Sequence, residues 1–281
     1  MIKHIAVALD GSAHAAAAEQ LAIALAHRVG GMVHGVHVID ATFLEGAFIT
    51  DISGAMGFEP FLNVQSQMRA TLDEVAASIR RDFTERCAAA AVECRFHLER
   101  SGVAHGILAA SKLADLLVVG QRGVNARFHE DLLGATTETL LRRSQVPVLV
   151  VPQAAALPAR PMVAYDGSPK CVRGLQQAAE LARALAVGLT VVTVDTQAER
   201  GRSRLQEAAG YLSPYGTPVE YRVQPGEAVE EELLAMLGEG RHDLVFLGAH
   251  GHRRIVELVL GSTSQYLARR SPAPVWCVTR V

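Results

Sequence analysis

The sequence predicts an α/β fold made of two doubly wound units, and three observations carry that prediction. Short apolar runs alternate with helix-period segments along the whole chain. The alternation occurs twice, with the same motif opening each copy 156 positions apart. The chain has 281 residues, so each half is about the usual size of one compact domain.

In the first copy, Ile5–Leu9 is a continuous apolar run that stops at Asp10-Gly11-Ser12, a turn signal, and reads as a buried strand. Ala13–Arg28 carries Leu21 and Leu25 at helical spacing and ends before Gly30-Gly31, a helix-stop signal. Met32–Ile39 is β-branched and reads as strand. Met68–Ala91 has the mixed charge and period of an amphipathic helix. Glu93–Glu99 reads as strand and Val103–Lys112 as helix. Leu116–Val119 and Val146–Val151 read as buried strands, with helix Thr136–Arg143 between them. The second copy keeps this order. Its strands are Met162–Tyr165, Leu189–Val194, Val219–Val223, Leu244–Leu247 and Val275–Val278. Its helices are Leu175–Ala186, Leu205–Leu212, Ala228–Met236 and Thr263–Arg269. Strands that alternate with helices in this way form a parallel sheet covered on both faces by right-handed crossovers. Such sheets bind ligands beyond the carboxyl ends of their strands.

Composition narrows the function. Apolar residues make up 49% and charged residues 20%, enough to bury a core in each half. Aromatics are only 5%, which disfavours a stacking platform for single-stranded nucleic acid. A net charge of −2 supplies no global field for nucleic acid or anionic lipid. Cys87, Cys94, Cys171 and Cys277 show no zinc spacing, and no run is long enough to span a bilayer. With no secretory pattern at the start, a cytoplasmic protein with reduced thiols is expected.

Comparing the copies locates their difference. Asp10-Gly11-Ser12 returns as Asp166-Gly167-Ser168, and Val38 returns as Val194, both 156 positions on. Gly120-x2-Gly123 returns as Gly248-x2-Gly251 at offset 128, and Pro147 as Pro274 at 127. The first copy therefore holds roughly 28 extra residues, placed at about 41–68. That insertion carries Phe43, Leu44, Phe48, Ile49, Met56, Phe58, Phe61 and Leu62, which should cover a pocket mouth, the sister domain or another subunit. The expected boundaries are 1–153 and 162–281, with a proline-containing linker at 154–161.

The chemistry concentrates in Gly248-x2-Gly251, nine further residues, then Gly261-Ser262-Thr263-Ser264. Glycines let backbone N–H groups approach phosphate oxygens, and a helix amino terminus starting near Ser262 adds unpaired N–H groups. A turn followed by an ordinary helix cap would look alike. Gly-x2-Gly-x9-Gly-Ser resembles the ATP-binding motif of universal stress proteins. So do the opening Tyr165-Asp166-Gly167-Ser168, the strand ending Val194-Asp195, and the closing Pro-x-Pro-Val. The resemblance covers nearly the whole chain as two copies.

The resemblance implies two Rossmann-like domains of the adenine nucleotide alpha hydrolase type. Each would have a five-stranded parallel sheet of order 3-2-1-4-5. They would pair as an intramolecular pseudo-dimer through Val146–Val151 and Val275–Val278, and two chains would associate further. It implies ATP, with or without Mg2+, as ligand and an unidentified protein partner as reader of the bound state. Asp166 would reach adenine or ribose, and Val194 would offer backbone groups to the adenine edge. Ala164 and Leu247 would form an apolar wall. Gly248, Gly251, Gly261 and Ser262 would hold ribose and phosphates, with Thr263 and Ser264 nearby.

The first copy departs from this pattern. Asp10, Val38, Gly120, Gly123 and Gly134 are kept, but ten residues separate the last two glycines and Ala135 replaces the serine. A lost phosphate hydrogen bond costs on the order of 1–3 kcal/mol, against which Arg122 or Arg127 would supply charge. This site is expected to be weaker or empty.

Other chemistries lack their motifs. There is no P-loop, no Gly-x-Gly-x-x-Gly after a strand, and no nucleophile elbow. His34 and His37 should point to opposite faces of a strand, and His250 and His252 are not at zincin spacing. The expectation is a nucleotide-responsive stress or signalling module rather than a fast enzyme. The alternatives are a slow ATP hydrolase or phosphotransferase, with Glu257 the acidic residue in the loop, or a scaffold with vestigial sites.

Overall fold

The computed structural model describes residues 2–40, 58–124, 133–248 and 261–279, apart from the side chains of 58–64. The first copy contributes strands β1 (His4–Ala8), β2 (Met32–Asp40), β3 (Cys94–Ser101), β4 (Leu116–Gly120) and β5 (Val148–Val151). Its helices are α1 (Ala13–Val29), α2 (Phe58–Ala89), α3 (Val103–Ala110) and α4 (Ala135–Arg143). The second copy contributes β6 (Pro161–Ala164), β7 (Leu189–Val194), β8 (Val219–Gln224), β9 (Leu244–Gly248) and β10 (Val275–Val278). Its helices are α5 (Pro169–Leu185), α6 (Ala198–Leu212), α7 (Val229–Gly238) and α8 (Ser262–Arg270).

These strands form one sheet in the order β3-β2-β1-β4-β5-β10-β9-β6-β7-β8. Within each copy the strands therefore lie third, second, first, fourth, fifth. Pairing inside each copy is parallel, as in β1 with β4 and β6 with β9. At the centre β5 and β10 pair antiparallel, with Trp276 opposite Leu149. Equivalent edge strands thus meet at the seam, which is the joint expected of a pseudo-dimer within one chain.

Alternation along the strands sends side chains to two cores, and both cores cross the seam. Leu149, Val151, Trp276 and Val278 point to the face carrying buried residues of α1 and α5. Val148, Val150, Val275 and Cys277 point to the face carrying α4, α7 and α8. Polar contacts reinforce the seam. Gln121 Nε2 donates to the Ala268 carbonyl at 2.9 Å and the Ser271 carbonyl at 3.3 Å, capping the carboxyl end of α8 from the first copy. Thr279 Oγ1 donates to the Val146 carbonyl at 2.9 Å.

Helix α2 differs from its expected length. It begins at Phe58, ten residues before Met68, and runs 32 residues against 15 for α6. Much of the surplus in the first copy is thus extra helix. Pro60 is tolerated because it lies in the first turn, where its missing N–H has no helical acceptor. Residues 41–57 and the side chains of Phe58, Phe61 and Leu62 lie outside the described residues. Arg69–Asp73, Arg81–Glu85 and Asp82–Arg86 have the (i, i+4) spacing of ion pairs along the helix. Arg86 instead reaches Glu19 of α1 at 2.6 Å, and Asp73 pairs with Arg100 of β3 at 2.6 Å. Glu19 is buried and Arg86 half-exposed, so their ion pair ties α2 to α1 at the solvent edge of the contact.

Trp276 lies on the seam strand, opposite Leu149 of the first copy. It is 1% exposed, stacks obliquely on Phe246 at 5.0 Å, and donates from Nε1 to Gln177 Oε1 at 2.8 Å. Trp276→Ala should cost about 3–5 kcal/mol in urea unfolding followed by circular dichroism. Because both cores cross the seam, both copies should lose stability in one shared transition. Two separate transitions, with the first copy unaffected, would contradict the shared core.

Candidate functional site

The repeated Asp-Gly-Ser is a strand-to-helix corner with a stated job for each residue. Asp10 Oδ1 accepts from Ser12 N, and Asp166 Oδ1 accepts from Ser168 N, both at 2.8 Å. Gly11 and Gly167 sit at φ of 79° and 83°, a left-handed conformation that disfavours any side chain. Ser12 and Ser168 then accept from the N–H groups of Ala15 and Cys171, capping α1 and α5. The motif therefore builds the corner whether or not a ligand is bound.

The first glycine of the phosphate-type motif also has a packing role. A Cβ on Gly120 would come within 2.8 Å of His14 Cβ, and one on Gly248 within 3.0 Å of Lys170 Cβ. Glycine is required there for the first turn of the preceding helix to pack against the strand end. Thr137 Oγ1 donates to the Gly120 carbonyl at 2.9 Å, and Ser264 Oγ to the Gly248 carbonyl at 3.1 Å. These equivalent hydroxyls clip the helix after the loop to the strand before it. Ser264 is 2% exposed, so this clip is buried.

The other expected residues of the second copy gather at the carboxyl ends of β6, β7 and β9. Ala164 ends β6, Val194 ends β7, and Leu247-Gly248 end β9. Strand β6 stops opposite Val192, whose carbonyl accepts from Tyr165 N at 2.8 Å. By alternation the Val194 carbonyl faces the same side, past the end of β6. Gly261 precedes α8, whose amino end receives no side-chain cap among the described residues, and Ser262 and Thr263 form its first residues. Its first intrahelical bond is Gln265 N to the Gly261 carbonyl at 3.0 Å, leaving the preceding N–H groups without helical acceptors. Gly251, His250, His252, Arg253, Arg254 and Glu257 lie outside the described residues.

Sequence reasoning missed Lys170. It stands in the first turn of α5, a turn with no acidic residue, where the helix dipole opposes a cation. Burial lowers its pKa, and it makes no ion pair among the described residues. An unneutralised cation beside Gly248 is suited to an anion. The signal was its place one turn after Asp166, where the first copy has His14.

In the first copy the chain folds onto its own carboxylate. Asp10 Oδ2 accepts from Val124 N at 3.2 Å, and a Cβ on Gly123 would reach that oxygen at 2.8 Å. Gly134 N closes onto the Gln121 carbonyl at 3.2 Å. Arg122 Nε is buried and unpartnered among the described residues. His14 is 7% exposed, and burial, then the charge of Arg122, lower its pKa. Val38 in β2 packs toward Gly106 of α3, where an added Cβ would meet it at 3.0 Å. Arg127 lies outside the described residues.

Asp195 is 1% exposed on its side chain and braces the end of β7. It accepts from Arg200 at 2.6 and 2.7 Å, from Arg204 at 3.0 Å and from Gln197 N at 2.8 Å. The Arg200 hydrogen bonds, then the Gln197 N–H, hold its pKa down to about 2. Elsewhere, His37 is buried with Nδ1 2.7 Å from the Leu9 carbonyl, and His34 lies between His4 and His97 at 3.1 and 3.4 Å. Among the described residues no group of three or more His, Cys, Asp or Glu could hold a metal ion. No described helix is long and apolar enough to cross a membrane.

Comparison with known proteins gives concordant results. The model of the universal stress protein family matches residues 1–152 and again 160–279. Universal stress protein Slr1230 of Synechocystis is 28% identical over 98% of this chain and 99% of its own. A universal stress protein of Mycolicibacterium smegmatis is 31% identical over 64% of this chain and 67% of its own. Among solved structures, a universal stress protein from Archaeoglobus fulgidus shares the fold. Its TM-score is 0.74 at 22% identity, covering 99% of this chain and 98% of that one.

The depressed pKa of Asp195 sets a pH dependence. A lowered carboxylate stabilises the fold above its ordinary value of 3.8, and that stability is lost as pH falls through about 2. Asp195→Asn should lower the melting temperature at pH 7 and flatten the loss of stability between those two values. An acid limb in thermal melts identical to that of the parent would contradict the role assigned to Asp195.

Proposed function

Because the chain belongs to the universal stress protein family, we propose that its second copy binds ATP and acts as a nucleotide-responsive module. One observation carries the reading. Among the described residues nothing caps the amino end of α8 or pairs with Lys170, and the two flank the carboxyl end of β9, where an anion would satisfy both. The triphosphate would lie against the N–H groups of Ser262 and Thr263, with Gly248, Gly251 and Gly261 leaving room for its approach. The adenine edge would meet the Val194 backbone, with Ala164 and Leu247 as wall and Asp166 toward the ribose. The self-filled corner around Asp10 supports a weaker or empty first site.

Response to the nucleotide would run along α8. Its amino end lies at the proposed phosphate position, and its carboxyl end is capped across the seam by Gln121. Gln265 of α8 also reaches Glu138 of α4 at 3.4 Å. A nucleotide that binds two positions of α8 with different affinity would bias the seam between the copies. Binding rather than hydrolysis is the proposed activity.

Calorimetric titration with ATP tests the reading. Lys170→Met should weaken binding about ten- to a hundredfold, since a charge-assisted hydrogen bond contributes about 1.5–3 kcal/mol. The same variant should raise the melting temperature of the nucleotide-free protein, because it removes a partly desolvated cation from a positive helix end. Gly261→Asp should abolish binding, while Gly134→Asp in the first copy should leave it unchanged. Unaltered affinity in both Lys170→Met and Gly261→Asp would overturn the assignment.

A further inference from the structure

Three imidazoles stand in a diagonal row across the first copy, toward the amino ends of its strands. His4 opens β1, His34 lies near the start of β2, and His97 lies in β3. His4 is in register with Met32, His34 with Arg95, and His97 with Val36, so each ring reaches its neighbour diagonally on one face of the sheet. His4 Nδ1 is 3.1 Å from His34 Nε2, and His34 Nδ1 is 3.4 Å from His97 Nε2. The ring centres are 5.4 and 5.6 Å apart. Both nitrogens of His34 are therefore engaged, each by a different neighbour. The three rings do not converge on a point where one metal ion could sit.

The second copy supplies a comparison within the same chain. Its register pairs Met162 with Thr190 and Val192 with Arg222, as the first pairs Ala6 with His34 and Val36 with His97. Asp115 N donates to the His4 carbonyl and Asp243 N to the Arg160 carbonyl, which makes Arg160 the counterpart of His4. Arg160, Thr190 and Arg222 thus occupy the three positions, and the same strand order forms without an imidazole at any of them. The row is an addition to the fold, not a requirement of it.

We propose that His4, His34 and His97 form an acid-sensitive latch across β1, β2 and β3. Counting ring hydrogens sets its threshold. Each of the two contacts needs one hydrogen between its nitrogens. Three neutral rings carry three hydrogens, so two fill the contacts and one points outward. One added proton keeps both contacts and protonates the second outer nitrogen. A second added proton sets two hydrogens face to face in one contact and breaks it.

The surrounding charges act on the central ring. From β1 it faces His4, whose backbone N–H is held by Asp115 at 2.9 Å. From β3 and the residue before it come His97, Arg95 and Glu93; Glu93 favours a charged ring and the other two oppose it. His105 of α3 and Lys112 after it are exposed. Burial, then the charges of His97 and His4, lower the His34 pKa from its ordinary 6.5. The latch therefore contributes its full stability above pH 6.5 and loses it as pH falls below that value. It lies in the other copy from the proposed nucleotide site, so the two proposals are tested apart.

Thermal melts of the full chain from about pH 7.5 to about pH 5 compare the parent with His34→Thr, a change to the residue of the second copy. The parent should lose more melting temperature across that interval than the variant, whatever their difference at the upper pH. In nitrogen NMR of histidine-labelled protein, His34 should stay neutral to lower pH than His4 and His97. His97→Gln should move the His34 titration up toward 6.5. Equal losses in the parent and His34→Thr, or three rings titrating independently near 6.5, would overturn the proposal.

Discussion

The antiparallel pairing of β5 with β10 is the constraint on which the rest of the molecule depends. It turns two five-stranded units into one ten-stranded sheet, with the proposed ligand ends of the two copies facing opposite ways along the strands. Because strand side chains alternate, the seam contributes to the cores on both faces. Val148 and Val150 serve one, Leu149 and Trp276 the other. Neither copy can shift against the other without opening a dry contact. The hydrogen bonds of Gln121 with the end of α8 depend on that geometry, and they give α8 one end in each half of the molecule.

Duplication also explains how the copies diverge chemically while keeping one backbone plan. Both retain the Asp-Gly-Ser corner, the glycine under the first helical turn, and the hydroxyl clip from Thr137 or Ser264. Those features build the fold, so their presence in a copy does not by itself indicate a ligand. The differences lie in what surrounds them. In the first copy, residues 122–124 fold back on Asp10 and Arg122 lies beside His14. In the second, Lys170 stands where His14 does and lacks a partner among the described residues. A desolvated cation at a positive helix end costs stability, and a bound anion would offset that cost.

Much of this was legible in the sequence. The strand and helix alternation and the repeat could be read from apolar runs and matching motifs, while the pairing at the seam was implied only by the family resemblance. The start of α2 could not, because Pro60 and the surrounding glycines read as loop while a first turn tolerates proline. The clip from Ser264 to the Gly248 carbonyl could not be read either, because it spans the loop between strand and helix. Lys170 and Gln121 were invisible for one reason. Each acquires meaning only from a neighbour far away in sequence or across a corner, and periodicity carries no information about such pairs.

The central claim is that two similar copies hold unequal sites, with nucleotide in the second. A crystal structure of the full chain grown with ATP tests it most directly. The account predicts nucleotide at the carboxyl ends of β6 and β9, with phosphates against the amino end of α8 and the Lys170 amine, and a first copy closed over Asp10. Nucleotide in the first copy, with the second vacant, would contradict it.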